Sequence, residues 1–164
     1  MNEDRLHELS AEIGAELKAQ GLWITCAESC TGGWIAKAIT DIAGSSAWFD
    51  RGFVTYSNAA KHELLGVSES TLEQYGAVSE QVVREMAQGV LHAAGADIAL
   101  AVSGIAGPDG GSQEKPVGTV WFGFASKDGR IVAAKQQFSG DRDAVRLQAA
   151  VFSLQTALFE FLQN

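Results

Sequence analysis

The chain has 164 residues, 46% of them apolar and 20% charged, with 18 Gly and only 2 Pro. That is the length of one ordinary domain with a real core, and no segment is biased enough in composition to be disordered. Twelve Lys plus Arg against 20 Asp plus Glu give a net charge of −8. A duplex or long single strand meets net repulsion, so a nucleic-acid partner is excluded, whereas a small anion still fits where one cationic pocket overrides the mean.

The N-terminal MNEDRLHELSAEIG carries acids where a signal peptide carries positive charge. No apolar run approaches about 18 residues, so the chain reads as cytoplasmic with no membrane partner. Leu6, Leu9, Ile13 and Leu17 recur at spacings of three and four, which predicts an amphipathic helix ending near Gly21. LWITCA follows as a strand, and TGG leads into a second helix from about Trp34 to Thr40. GSSAWFDRG reads as a loop and FVTYS as the next buried strand. Asn58 is the expected N-cap of the helix AAKHELLG, with Lys61 in its first turn.

Ser79 opens the helix EQVVREMAQGVLHAAG, and IALAVS, residues 98–103, is a continuous apolar run of the kind found in strands buried on both faces. It empties into GIAGPDGGSQEKPVG, too glycine-rich for regular structure. TVWFGFAS and IVAAKQQF form a hairpin across Asp128 and Gly129, and a last helix runs from about Asp141 to Leu162. The order implies an α/β fold: a three-layer α/β/α sandwich with a mixed, mostly parallel sheet of about five strands in one domain, 1–164. That last helix is apolar over more than one stripe, which implies deep burial or a second copy, a homo-oligomer and specifically a dimer.

Ligands in such sheets gather at the carboxyl ends of the strands. Ser29, the pair Tyr56 and Lys61, and the segment from Ser103 to Gly111 each follow a predicted strand end. A serine between strand and helix presents its hydroxyl to unpaired N–H groups, which suits an oxyanion; alternatively Ser29 or Thr31 simply caps the helix for about 1 kcal/mol. The three histidines show no paired spacing for a triad or a metal, and Cys26 and Cys30 are too few for a disulfide framework or a four-ligand zinc site. Lys61 is the remaining base, if burial lowers its pKa; a solvated surface lysine is the plain alternative. Tyr56 could relay a proton or orient the ammonium. SGIAGPDGG lacks the Gly-Lys-Ser ending of a P-loop and offers only a series of backbone donors. Arg142 stands in a helix's first turn, where a cation is not favoured; phosphate binding is one reason, a pair with Asp141 or Asp143 another.

Taken together, AESCTGG, GFVTYSNAAK, GAVSE, SGIAGPDGG, KPVGTVWFGFA and SGDRDAVR resemble the CinA C-terminal domain family, over about Leu6 to Leu162. The likeness is greatest to its stand-alone members, bacterial nicotinamide-nucleotide amidases. The N-terminal domain of longer members is not part of this sequence, and its activity is not carried over. The resemblance implies hydrolysis of the carboxamide of nicotinamide mononucleotide to nicotinic acid mononucleotide and ammonia, with no metal or other cofactor. It also implies Ser29 as nucleophile, Lys61 as its base and Tyr56 as a supporting catalytic group, with Ser103 and Arg142 as further site positions. Cys30, Thr31, Gly32 and Gly104 complete the expected substrate contacts. Two rivals are a non-catalytic nucleotide-binding or competence-associated module and a serine amidase for another small amide.

Overall fold

Six α-helices and five strands make up the computed structural model, which describes residues 2–163. In chain order they are α1 (Glu3–Gln20), β1 (Ile24–Glu28), α2 (Trp34–Thr40), β2 (Phe53–Val54) and α3 (Asn58–Leu65). Then come α4 (Glu69–Tyr75), α5 (Glu80–Ala94), β3 (Ile98–Gly104), β4 (Thr119–Ser126), β5 (Ile131–Gln137) and α6 (Arg142–Ala157). A π-helical turn, Leu158–Leu162, continues α6. The sheet order is β2-β1-β3-β4-β5. β1 pairs in parallel with both β2 and β3, while β4 is antiparallel to β3 and β5. Four strands therefore point one way and β4 the other, as the interleaving of helices and strands implies.

Each face of the sheet has its own core. Cys26, Leu100, Val102, Val120, Phe122 and Phe124 pack with the apolar stripes of α1, α2 and α6. Ala27, Ala99, Ala101 and Ala125 pack with Val82, Val83, Met86 and Val90 of α5 and with Leu65 and Leu72 of α3 and α4. Alternate strand residues are small on this second face, which lets α5 sit close to the sheet. α6 buries Val145, Ala149, Val151, Leu154 and Ala157, with Leu147 and Phe152 packed partly on the same core. Much of its apolar surface is thus used within the chain.

Local chemistry sets the ends of these elements. α1 stops at Gly21, whose φ of 68° lets its N–H reach back to Leu17 and Lys18. α3 is capped by Ser57, not Asn58: the Ser57 hydroxyl accepts from the Ala60 N–H. FVTYS gives only two strand residues, because Ser57 already serves that cap and Tyr56 has left the ladder. α4 is absent from the sequence reading because ESTLEQY buries a single apolar residue, Leu72, and shows no period. No helix is long and apolar enough to cross a membrane among the described residues.

The contact between α5 and β4 has no spare room at Gly123, where an added Cβ would lie 2.2 Å from the Val83 carbonyl oxygen. Gly123→Ala is expected to lower stability by about 1–3 kcal/mol through overpacking, read as a lower urea midpoint in equilibrium unfolding.

Candidate active site

β1, β2 and β3 end side by side, so the segments that follow them meet at one edge of the sheet. Ser29 is the residue after β1, and its N–H donates to the Val102 carbonyl at 3.0 Å. On the other side the Thr55 N–H donates to the Glu28 carbonyl at 2.9 Å. The alternation of β1 continues through this last ladder bond, so Ser29 falls on the same face as Ala27, the side covered by α3 and α5. Ser103 follows Ala99 and Ala101 on that face of β3 and is buried. Neither the Ser29 nor the Ser103 hydroxyl has a protein hydrogen-bond partner among the described residues.

Lys61 comes to this edge from α3. It is only 1% exposed, and its Nζ donates to the carbonyl oxygens of Thr55 at 3.0 Å and Tyr56 at 3.2 Å. Neutral carbonyls orient the amine without balancing a charge, and Lys61 has no carboxylate partner among the described residues. Burial therefore pushes its pKa down from 10.5 to about 8. Lys61 is thus not the solvated surface lysine that was its plain alternative. Thr55, whose carbonyl it meets, also has a fully buried hydroxyl with no partner.

Tyr56 meets Lys61 through its backbone. Its side chain is 73% exposed, and its carbonyl, not its phenol, orients the Lys61 amine. No histidine replaces Lys61 here, since His62 bonds the Val67 carbonyl and lies 3.3 Å from Glu69. No group of three or more His, Cys, Asp or Glu suited to a metal occurs among the described residues.

The turn between β1 and α2 shows what caps α2. Neither Ser29 nor Thr31 caps α2; the side chain of Glu28, 0% exposed, does so from the strand itself. Its carboxylate accepts from the N–H groups of Gly33 at 3.2 Å, Ile35 at 3.0 Å and Ala36 at 3.0 Å, and from the Thr31 hydroxyl at 2.5 Å. The backbone N–H groups of Cys30, Thr31 and Gly32 are left with no protein acceptor among the described residues. Gly32 and Gly33 make this geometry possible, with φ of 59° and 99°. The Cys30 thiol points into the core beside α6, on the opposite side from Lys61, and burial raises its pKa to about 11. A thiol so protonated is no competing nucleophile.

The third segment closes the edge. Gly104 ends β3 with no space for a side chain, since a Cβ would lie 2.7 Å from Val120. Gly107 in the loop beyond accepts a 2.7 Å hydrogen bond from Arg142 Nη1. Arg142 is exposed and makes no ion pair with Asp141 or Asp143; Asp141 instead caps α6 by accepting from the Ala144 N–H. Sequence reasoning missed two residues. Glu28 was visible as the lone acid closing an apolar run, and Arg146 as a second cation one helical turn after Arg142, four residues on.

Comparison with known proteins matches residues 6–161 to the model of the CinA C-terminal domain. The chain belongs to the CinA C-terminal domain family. Over the full length of both chains it is 87% identical to nicotinamide-nucleotide amidohydrolase PncC of Enterobacter agglomerans. It is 63% identical to the protein of that name from Escherichia coli K12, covering 100% of this chain and 99% of the other. Among solved structures, the competence/damage inducible protein CihA of Agrobacterium tumefaciens superposes with a TM-score of 0.92 at 44% identity over 94% of each chain. A CinA-superfamily protein of Klebsiella pneumoniae superposes with a TM-score of 0.92 at 45% identity over 99% of each chain.

The environment of Lys61 has a direct consequence. Its amine is expected to titrate near pH 8, seen as a Cε chemical-shift change absent in Lys61→Met. The folded pKa lies below the unfolded value, so the unfolded chain binds more protons between about pH 8 and 10.5 and the Lys61 contribution to stability rises with pH across that window. Titration at 10 or above would show a solvated lysine.

Proposed function

We propose that the chain is an amidohydrolase that converts nicotinamide mononucleotide to nicotinic acid mononucleotide and ammonia, through an acyl-enzyme on Ser29 with Lys61 as base. The single observation that carries this reading is a buried lysine amine held by neutral carbonyls at the strand edge where Ser29 emerges. The names of its relatives support the substrate. In this reading the cell uses the reaction to recycle pyridine nucleotides.

The neutral Lys61 amine takes the Ser29 proton as Oγ attacks the carboxamide carbon. The carbonyl oxygen becomes an oxyanion, stabilised by the free N–H groups of the turn from Cys30 to Gly32. Lys61 returns its proton to the amide nitrogen, the C–N bond breaks, and ammonia leaves an ester on Ser29. Water then attacks that ester with Lys61 again as base, releasing the nicotinic acid product and restoring both side chains. A lysine near pH 8 is suited to this exchange, because it can both accept and donate a proton close to neutrality.

Arg142 is the residue for the substrate phosphate. Its guanidinium is exposed, steadied at Gly107 by one donor, and has the remaining donors of its fork for an oxyanion. In this reading Ser103 and Gly104, at the end of β3 beside β1, are further substrate contacts. Tyr56, exposed beside the carbonyls that hold Lys61, supports catalysis through its backbone and offers its ring to the substrate.

Ammonia release from nicotinamide mononucleotide tests the function. Ser29→Ala is expected to lower kcat by up to about 10⁶-fold, as loss of a serine nucleophile does elsewhere, with circular dichroism unchanged; activity close to normal overturns the nucleophile assignment, and an inert parent protein overturns the amidase reading in favour of a binding module. Arg142→Ala is expected to raise KM for the mononucleotide with little change in kcat, and an unchanged KM removes the phosphate role.

A further inference from the structure

Two arginines stand four residues apart on α6, and their donors go to different segments. Arg146 Nε donates to the Cys30 carbonyl at 3.2 Å, and its Nη2 donates to the Thr31 carbonyl at 3.1 Å. Its Nη1 lies 3.8 Å from the Asp143 carboxylate, and the guanidinium stands 5.9 Å from the centre of the Trp34 ring. Two of its three nitrogens are therefore hydrogen-bonded to the turn, and the third faces the Asp143 carboxylate. Arg142, by contrast, has one donor committed, to Gly107.

The two carbonyls held by Arg146 belong to the peptide units that join Cys30 to Thr31 and Thr31 to Gly32. Both units are trans, so each N–H points opposite to its carbonyl. Fixing the Cys30 and Thr31 oxygens toward α6 thus fixes the N–H groups of Thr31 and Gly32 away from α6. Ser29 and Lys61 lie on the face of the sheet opposite to α6. Glu28 secures the same turn from its other end by taking the N–H groups of Gly33, Ile35 and Ala36. Residue 32 must also be glycine for the arginine to reach: a Cβ there would lie 2.8 Å from Arg146 Nη2.

We propose that Arg146 is a positioning residue of the amidase, gripping the Cys30 and Thr31 carbonyls so that the Thr31 and Gly32 N–H groups form the oxyanion hole. The proposal rests on the serine amidase reading and adds to it a division of labour: Arg142 meets the phosphate, and Arg146 never touches substrate. Donors aimed at the position of developing charge act on the transition state and not on the bound ground state, so their loss lowers kcat and leaves KM.

The test is kinetic, on the full chain, with Arg146→Gln and Arg146→Lys. Arg146→Gln is expected to lower kcat at least about tenfold with KM within about twofold, a part of the roughly 10²–10³-fold cost of deleting one oxyanion donor. Arg146→Lys recovers part of that loss, because an ammonium can still donate to a carbonyl. A second readout needs no nicotinamide: the rate at which a small phosphonofluoridate labels Ser29, forming the Oγ–P bond and expelling fluoride, falls in parallel. A raised KM with normal kcat overturns the proposal and makes Arg146 a phosphate ligand. Normal kcat in Arg146→Lys and Arg146→Gln also overturns it, and should Arg146→Gln fail to fold, full activity of Arg146→Lys with unchanged labelling does the same. If the parent protein neither releases ammonia nor is labelled at Ser29, the serine amidase reading itself has failed and this role goes with it.

Discussion

A carboxylate with no exposed surface joins the central strand to the helix that follows it. Glu28 leaves β1 on the face of α2 and accepts from three backbone N–H groups and one hydroxyl. Burying a charge costs several kcal/mol unless hydrogen bonds replace its hydration, and four donors at a helix start supply that replacement. The consequence reaches beyond stability. With donors of the first helical turn taken by Glu28, the N–H groups left without a protein acceptor among the described residues are those of the preceding turn, next to Ser29.

Lys61 is buried to a similar degree and treated in the opposite way. Its Nζ meets two carbonyl dipoles and no counter-charge, so burial disfavours the ammonium and the amine becomes available near pH 8. Within one edge of one sheet, one buried acid is met by hydrogen-bond donors and one buried amine by neutral carbonyls alone. Depressing a lysine pKa by burial costs folding free energy below pH 8.

The few cations of this acidic protein are placed, not numerous. Of the net charge of −8 little is felt beyond a Debye length of roughly 8 Å at physiological salt, whereas Arg142 and Arg146 stand at the turn itself and both act on the Cys30 thiol through the same field. α6 delivers both because residues four apart share a helix face. The commitment of Arg146 to carbonyls and the exposure of Arg142 then put identical side chains in different environments.

Periodicity and punctuation in the sequence determined most of the elements: α1 to Gly21, α2 from Trp34 to Thr40, the run from Ile98, the hairpin at Asp128 and Gly129, and α6 after Asp141. Ordered motifs pointed to Ser29, Lys61, Ser103 and Arg142 as candidates for one site, since strand ends in such folds converge. Short elements with one buried residue, such as α4, carried no readable period, and the cap at Ser57 was indistinguishable by residue type from one at Asn58. Three matters were decided only by tertiary structure. Whether Lys61 is solvated or buried depends on what covers α3; what caps α2 depends on a strand side chain turning back on its own successor; and which arginine grips the turn depends on the angle at which α6 crosses it. Each is a question of distance between segments separated in sequence, and a sequence states which groups exist but not how much water or which partner each one keeps.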